Sequence, residues 1–160
     1  MKRAIVLTLL LLTASCAHTP PPPDAVPGRI SVVADTKSPY WRSWINHYVP
    51  RGVNDYAHYQ IVDGSRDTPY RLVVRVVNSD SYISGYSANT YGARANYRTR
   101  VEVEAEFLDK NNRSVWSWSG WADYNSGEAS MKKIAKMLGA AMSKDGLLAP
   151  SYYTLTSQEK

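Results

Sequence analysis

The chain has 160 residues, of which 44% are hydrophobic, and it carries a formal net charge of +5. A chain of this length suits one domain with a single core. Its one cysteine, Cys16, excludes an internal disulfide. The modest positive charge is compatible with an anionic partner surface and identifies none.

The N-terminus has the order of a secretory signal. Lys2 and Arg3 form a basic start, residues 4–12 form a largely apolar run, and small residues precede Cys16. The run is far short of the ~20 residues that a membrane-spanning helix needs, so we expect cleavage. Residues 1–15 are therefore the predicted signal peptide, and loss of its two basic residues takes the charge from +5 to +3.

The segment Leu12-Thr13-Ala14-Ser15-Cys16 resembles the lipobox of bacterial lipoproteins. The resemblance implies acyl chains on Cys16, which hold a protein on a membrane because each buried CH₂ contributes ~0.8 kcal/mol. Ala17 follows where aspartate usually marks inner-membrane retention in enteric bacteria. The resemblance therefore implies the outer membrane, on its periplasmic face. A chance cysteine beside an ordinary signal-peptidase site is the alternative.

Residues 16–28 include four consecutive prolines, at positions 20–23. Proline lacks the amide donor and fixes φ, which excludes a helix or a central strand. We expect a short, semi-rigid tether between the lipidated cysteine and the domain. A proline-rich recognition motif is the alternative.

The folded part is predicted to begin with a strand and a helix. Residues 29–35 have the composition of a short strand, and Ser38 and Pro39 are typical of a helix start. Large apolar residues follow at helical spacing: Trp41, Trp44, Ile45 and Tyr48. We expect this stripe to face the core and the helix to end near Pro50. A membrane or partner contact is the alternative for part of the stripe.

Four further strands are predicted, at residues 56–62, 70–78, 99–108 and 114–123. The third of them alternates apolar and charged residues with a period of two, as in a half-buried antiparallel strand. In the fourth, Trp116 and Trp118 share one face and Trp121 has the opposite parity. We expect a bulge at Gly120 that restores the register.

A last helix is predicted to start at Asn125, which has capping-box spacing to Glu128. Its apolar face consists of Met131, Ile134, Ala135, Leu138 and Met142. Its solvated side carries Lys132, Lys133 and Lys136. The helix is expected to end at Gly146, and residues 149–160 form a loose or extended tail.

The predicted element order is β-α-β-β-β-β-α. It indicates a single small α+β domain at residues 29–148, with a mainly antiparallel sheet and two helices packed on it.

Residues 70–148 run through a hydrophobic strand, a Tyr/Gly-rich crossing and a strand that ends in Phe107-Leu108-Asp109. A return strand with Ser114-Val115-Trp116 and a helix that closes in Asp145-Gly146-Leu147-Leu148 follow. This order resembles the small domain of Gram-negative outer-membrane lipoproteins related to the curli-secretion channel lipoprotein and to the lipoprotein activators of penicillin-binding proteins. The resemblance implies a non-enzymatic assembly, scaffolding or activating role.

Residues 81–97, between the two long strands, are rich in Tyr, Gly, Ser and Asn, which together give adaptable hydrogen bonding and large contact area. The candidate binding loop comprises Tyr82, Tyr86, Tyr91, Arg94, Tyr97 and Arg98. A solvated hairpin whose tyrosines pack on their own sheet is an equal alternative. A further one, from the curli-channel resemblance, is that oligomers insert the hairpin into the membrane. Unpaired arginine facing lipid costs ~2–4 kcal/mol, which disfavours insertion.

The arginines of this region, Arg94, Arg98 and Arg100, interleave with tyrosines in a pattern that also suits nucleic acid. Export removes that partner, so we expect no nucleic acid. The same chemistry suits phosphate-bearing lipopolysaccharide or an acidic glycan. Alternatively, the arginines pair across the sheet with Glu102, Glu104 and Glu106.

Ser130 and Lys133 fit the S-x-x-K motif of penicillin-interacting enzymes. The sequence contains neither S-D-N nor K-T-G, so an envelope serine hydrolase is a minor alternative to a helix-start serine. The dispersed histidines His18, His47 and His58 lack the spacing of a zinc site. We expect no catalytic residue, metal or other cofactor.

Anchor, tether and a small domain lead to the hypothesis of a non-catalytic envelope lipoprotein with an assembly, scaffolding or activating role. Its expected partners are the membrane, through Cys16, and an envelope protein. Direct binding of peptidoglycan or lipopolysaccharide is the alternative. An oligomer is compatible with either hypothesis.

Overall fold

The computed structural model describes residues 28–62, residue 68 and residues 70–149. The predicted signal peptide, Cys16 and the proline tether up to residue 27 lie outside the described residues. So does the predicted tail from residue 150 onwards. Ala149, the last described residue, is fully buried, and its N–H donates to the Ala57 carbonyl at 3.0 Å.

The domain is one five-stranded sheet with two helices, in the predicted order. The elements are β1 (Arg29–Asp35), α1 (Pro39–Ala57), β2 (Gln60–Ile61), β3 (Arg71–Asn89), β4 (Gly92–Leu108), β5 (Ser114–Tyr124) and α2 (Gly127–Lys144). The strand order is β2-β1-β3-β4-β5. β1 runs parallel to β2 and β3, whereas β3, β4 and β5 are antiparallel. The predicted α+β class and mainly antiparallel sheet are confirmed.

α1 continues past Pro50 to Ala57, so the predicted helix end near Pro50 is wrong. Proline removes one helical hydrogen bond, the one that the Asn46 carbonyl would accept. Buried residues every four positions on both sides of the proline, Ile45, Val49, Val53 and Ala57, hold the helix on the core. Packing on this stripe outweighs the lost hydrogen bond.

The second predicted strand, at residues 56–62, is in fact the two-residue strand β2. Tyr56 and Ala57 belong to α1, and His58 ends the helix in the left-handed conformation, with φ 61°. Its N–H donates to the Asn54 carbonyl at 3.1 Å. Tyr56 and Ala57, which the sequence pattern placed in a strand, therefore form the end of α1.

α2 is capped by Ser126, not by the predicted Asn125. The Ser126 hydroxyl accepts the N–H of Ala129 at 3.1 Å. Glu128 does not reach back to the cap, because its carboxylate accepts a hydrogen bond from the Tyr48 hydroxyl. The predicted apolar face of α2 is buried, and Lys132, Lys133 and Lys136 are exposed as expected.

The two helices pack on the same face of the sheet and touch each other at glycines. The sheet contributes the alternate residues Leu72, Val74, Val101, Val103, Ala105 and Phe107 to the core. A Cβ on Gly139 would lie 2.1 Å from the Gly52 carbonyl oxygen. One on Gly52 would lie 2.2 Å from the Ala135 carbonyl oxygen. The absence of side chains here lets the backbones of α1 and α2 meet.

β5 carries Trp116 and Trp118 against the core and Trp121 on the opposite face, as its parity predicts. The expected bulge at Gly120 is wrong, since Gly120 pairs with Val103 in continuous register. The ring of Trp118 lies over Gly120, only 2.3 Å from where a Cβ would be. The missing side chain of Gly120 therefore accommodates the Trp118 ring, and the residue does not mark a β-bulge.

Candidate functional site

The hairpin of β3 and β4 extends beyond the rest of the sheet. β5 ends at Tyr124, opposite Thr99, and β1 pairs with β3 only as far as Arg75. Residues 82–98, here called the ribbon, continue as two strands, with no third strand beside them among the described residues. From Tyr82 to Asn89 the ribbon extends by about 20 Å.

Thr90 and Tyr91 form the tip of the ribbon between the paired residues Asn89 and Gly92. The Tyr91 N–H donates to the side-chain carbonyl of Asn89 at 2.9 Å. Gly92 has φ +124°, a conformation that a residue with a Cβ rarely adopts. The predicted loop is therefore an ordered hairpin with a tight turn, and Tyr91 at its tip is 98% exposed.

The face of the ribbon on the helix side of the sheet carries Ile83, Tyr86 and Tyr97. Tyr97 pairs with Ile83, and Tyr86 pairs with Ala95 on the same face. The exposed fractions are 46% for Ile83, 71% for Tyr86 and 60% for Tyr97. The helices cover the core part of this sheet face, but they leave its extension along the ribbon open.

Tyr82 and Arg98 lie on the other face, where they hold the base of the ribbon to β5. The Tyr82 hydroxyl and the Arg98 guanidinium both donate to the carboxylate of Asp123, the latter at 2.9 Å. These bonds hold the pKa of Asp123 below its usual range, and donation to this carboxylate raises the pKa of Tyr82. The polar groups of Tyr82 and Arg98 both bind Asp123, so these two residues attach the base of the ribbon to β5.

The six predicted loop residues are thus divided among three places. Tyr86 and Tyr97 lie on the helix side, Tyr82 and Arg98 on the other side, and Tyr91 at the tip. Arg94 is exposed, on the same face as Arg98, and takes part in no ion pair with a described residue. Ile83, which had not been singled out, joins Tyr86 and Tyr97.

Arg98 and Arg100 both form ion pairs, but neither pairs with a glutamate across the sheet as expected. Arg100 pairs with Glu102, its neighbour on the same face of the same strand, at 3.0 Å. Its guanidinium also lies 4.5 Å from the ring centre of Trp121, a cation–π distance. Arg98 pairs with Asp123 rather than with a glutamate.

Ser130 is fully buried, and its hydroxyl has two backbone partners. It accepts the N–H of Tyr124 at 3.0 Å and donates to the carbonyl of Thr99 at 2.6 Å. Lys133, the other half of the S-x-x-K match, is exposed. The hydroxyl therefore links α2 to β4 and β5.

The described residues contain no group of three or more His, Cys, Asp or Glu side chains that could hold a metal ion. Among the same residues, no helix is both long enough and apolar enough to span a membrane.

No protein-family model matches the chain, and no curated protein sequence matches it. Among solved structures, a variant PelC dodecamer from Paraburkholderia phytofirmans has a TM-score of 0.50 at 18% identity, over 79% of this chain and 90% of that one. Another PelC dodecamer structure from this organism has a TM-score of 0.51 at 20% identity, over 76% and 94%. A minor lipoprotein from Acinetobacter baumannii has a TM-score of 0.46 at 11% identity, over 76% of this chain and 96% of that one. The chain therefore shares the fold of the PelC subunit.

Proposed function

We propose that this chain is a lipid-anchored protein of the outer membrane with a non-catalytic assembly role on the periplasmic side. The observation that carries the assembly role is the open helix-side face of the ribbon, with Ile83, Tyr86 and Tyr97. The proposed partner is a protein of the envelope, and further copies of this chain count as such partners.

An isolated two-stranded hairpin is only marginally stable in water. Within the part of the chain that the structure describes, neither a third strand nor a helix covers the ribbon, yet it exposes large apolar and aromatic side chains. A partner that covers Ile83, Tyr86 and Tyr97 would bury their rings and aliphatic carbons and leave the tyrosine hydroxyls for hydrogen bonds. Tyrosine suits such a contact because it has few rotatable bonds to immobilise.

Assembly of identical copies is part of the proposal. The PelC structures that share this fold are dodecamers. A common fold at this level of identity supports a search for oligomers without specifying their number or contacts.

The ribbon is tested by replacing Tyr86 and Tyr97 with threonine, which removes both rings and leaves a strand-favouring residue at each position. We expect recovery of the partner from crosslinked cells to fall severalfold, as rings central to an interface typically contribute ~2 kcal/mol or more. The matched control replaces Tyr40 and Tyr56, exposed tyrosines of α1, with threonine and should keep recovery near the wild-type level. Equal recovery of every partner, including further copies of the chain, by both variants would contradict the proposed role of the ribbon.

The anchor is tested separately by mass spectrometry of the mature N-terminus. We expect the first residue to be Cys16 carrying acyl chains, because the segment before it resembles a lipobox. Cleavage elsewhere, or an unmodified Cys16, would contradict the anchor and leave the ribbon proposal intact.

A further inference from the structure

A groove with a volume of about 220 Å³ lies between α1 and α2, at the contact of the two helices. We call it the interhelix groove. It is lined by His47, Tyr48, Arg51, Gly52, Asp55, Lys132, Ala135 and Lys136. Three of these residues are basic and one is acidic, so the groove combines concave shape with an excess of basic side chains.

The cations of the groove form no ion pair with the described part of the chain. Arg51, Lys132 and Lys136 form no ion pair there, whereas the sheet residues Arg75 and Arg98 are paired with carboxylates. Glu128, one turn before Lys132, is hydrogen-bonded by Tyr48 instead. Asp55, one turn after Arg51, forms no ion pair with it.

The backbone also brings the origins of two of these basic side chains together. Gly52 contacts the backbone of Ala135, and Arg51 and Lys136 are the chain neighbours of these two residues. Their side chains therefore start from backbone segments in van der Waals contact. Lys132 lies one helical turn from Lys136 on the same side of α2, where like charges repel. An anion in the groove would remove this repulsion.

We propose that the interhelix groove binds a phosphate-bearing anion, a binding role beyond the proposed assembly through the ribbon. Arg51 offers a planar fork of donors that matches phosphate oxygens, and the two lysines add compact positive charges. The phosphate group of a lipid headgroup and that of a soluble phosphate ester present the same chemistry to these residues.

The experiment uses the mature chain, residues 16–160, with Cys16→Ser so that no acyl group contributes to binding. One arm titrates inorganic phosphate and follows amide shifts in NMR spectra. The other measures sedimentation with vesicles of phosphatidylcholine alone or mixed with phosphatidylglycerol. Saturable shifts at Arg51 and Lys136 support the site for soluble phosphate. Binding to the phosphatidylglycerol vesicles alone supports it for a lipid headgroup, provided that it depends on the groove lysines.

The decisive variant is Lys132→Gln with Lys136→Gln. The matched control, Lys133→Gln with Lys144→Gln, removes the same charge from the same helix but from outside the groove. We expect about tenfold weaker binding for the groove variant and less than about twofold for the control, as charge-assisted hydrogen bonds to phosphate are lost only in the former. Equal weakening in both variants, or no binding in either arm, would overturn the proposal. Circular dichroism of both variants confirms that they fold.

Discussion

Ser130 joins α2, β4 and β5 through one hydroxyl group. It lies in the first turn of α2, it is fully buried, and both of its partners are backbone groups of the sheet. A buried backbone N–H or carbonyl without a partner is costly, so this residue has a structural role that its resemblance to a catalytic motif does not suggest. The buried Ser130 hydroxyl therefore gives no support to the serine hydrolase considered from the sequence.

At this scale we predict that Ser130→Ala lowers the free energy of unfolding by about 1–3 kcal/mol, because the Tyr124 N–H and the Thr99 carbonyl lose a partner. Urea unfolding of the variant and the wild type measures the difference. Ser117→Ala, at an exposed position of β5, should change stability by less than about 0.5 kcal/mol. A similar small effect at Ser130 would show that the buried hydroxyl is not needed.

At the scale of elements, the contact between α1 and α2 depends on glycines inside helices. Glycine is normally unfavourable in a helix interior, by about 1 kcal/mol relative to alanine. Gly52 and Gly139 are nevertheless placed where a Cβ would overlap backbone atoms of the other helix. Close approach of the helices therefore outweighs local helix propensity at both positions.

We predict that Gly139→Ala lowers the free energy of unfolding by about 1–3 kcal/mol, because the added Cβ forces the helices apart. Ala140→Gly tests propensity at the neighbouring exposed position, and there the loss of alanine should cost about 1 kcal/mol. Chemical denaturation of the two variants gives both values. A more stable Gly139→Ala protein would mean that the helices do not meet at this residue.

The strands show how far local patterns predict this fold. The type and order of the elements follow from alternation and helical spacing, which are local properties. The end of α1 does not, because packing of Val53 and Ala57 on the core carries the helix through Pro50. Composition predicts a contact region at the ribbon, but it does not predict which side chains share a face. Strict alternation from Leu72 puts Tyr82 and Tyr86 on one face, whereas irregularities after Val76 and Ile83 place them on opposite faces.

At the scale of the whole molecule, the ribbon points away from where the chain enters the domain. β1 begins just after Gly28 and runs parallel to β3, so the predicted tether joins at the end where β3 starts. The tip of the ribbon is at the far end of β3, roughly 60 Å along the strand. Under the proposed anchor, the ribbon extends away from the tether attachment, while the interhelix groove lies on the separate helix layer.

The sequence by itself determined the element order, the buried face of α2 and the alternation of β4, because these depend on residues close together in the chain. The predicted signal peptide and the resemblance to a lipobox at Cys16 also rest on a short linear segment. Only the tertiary structure decided which tyrosines share a ribbon face and that Arg51 lies beside the α2 lysines. Those placements result from strand register and from backbone contact between helices far apart in the chain, which no local pattern encodes.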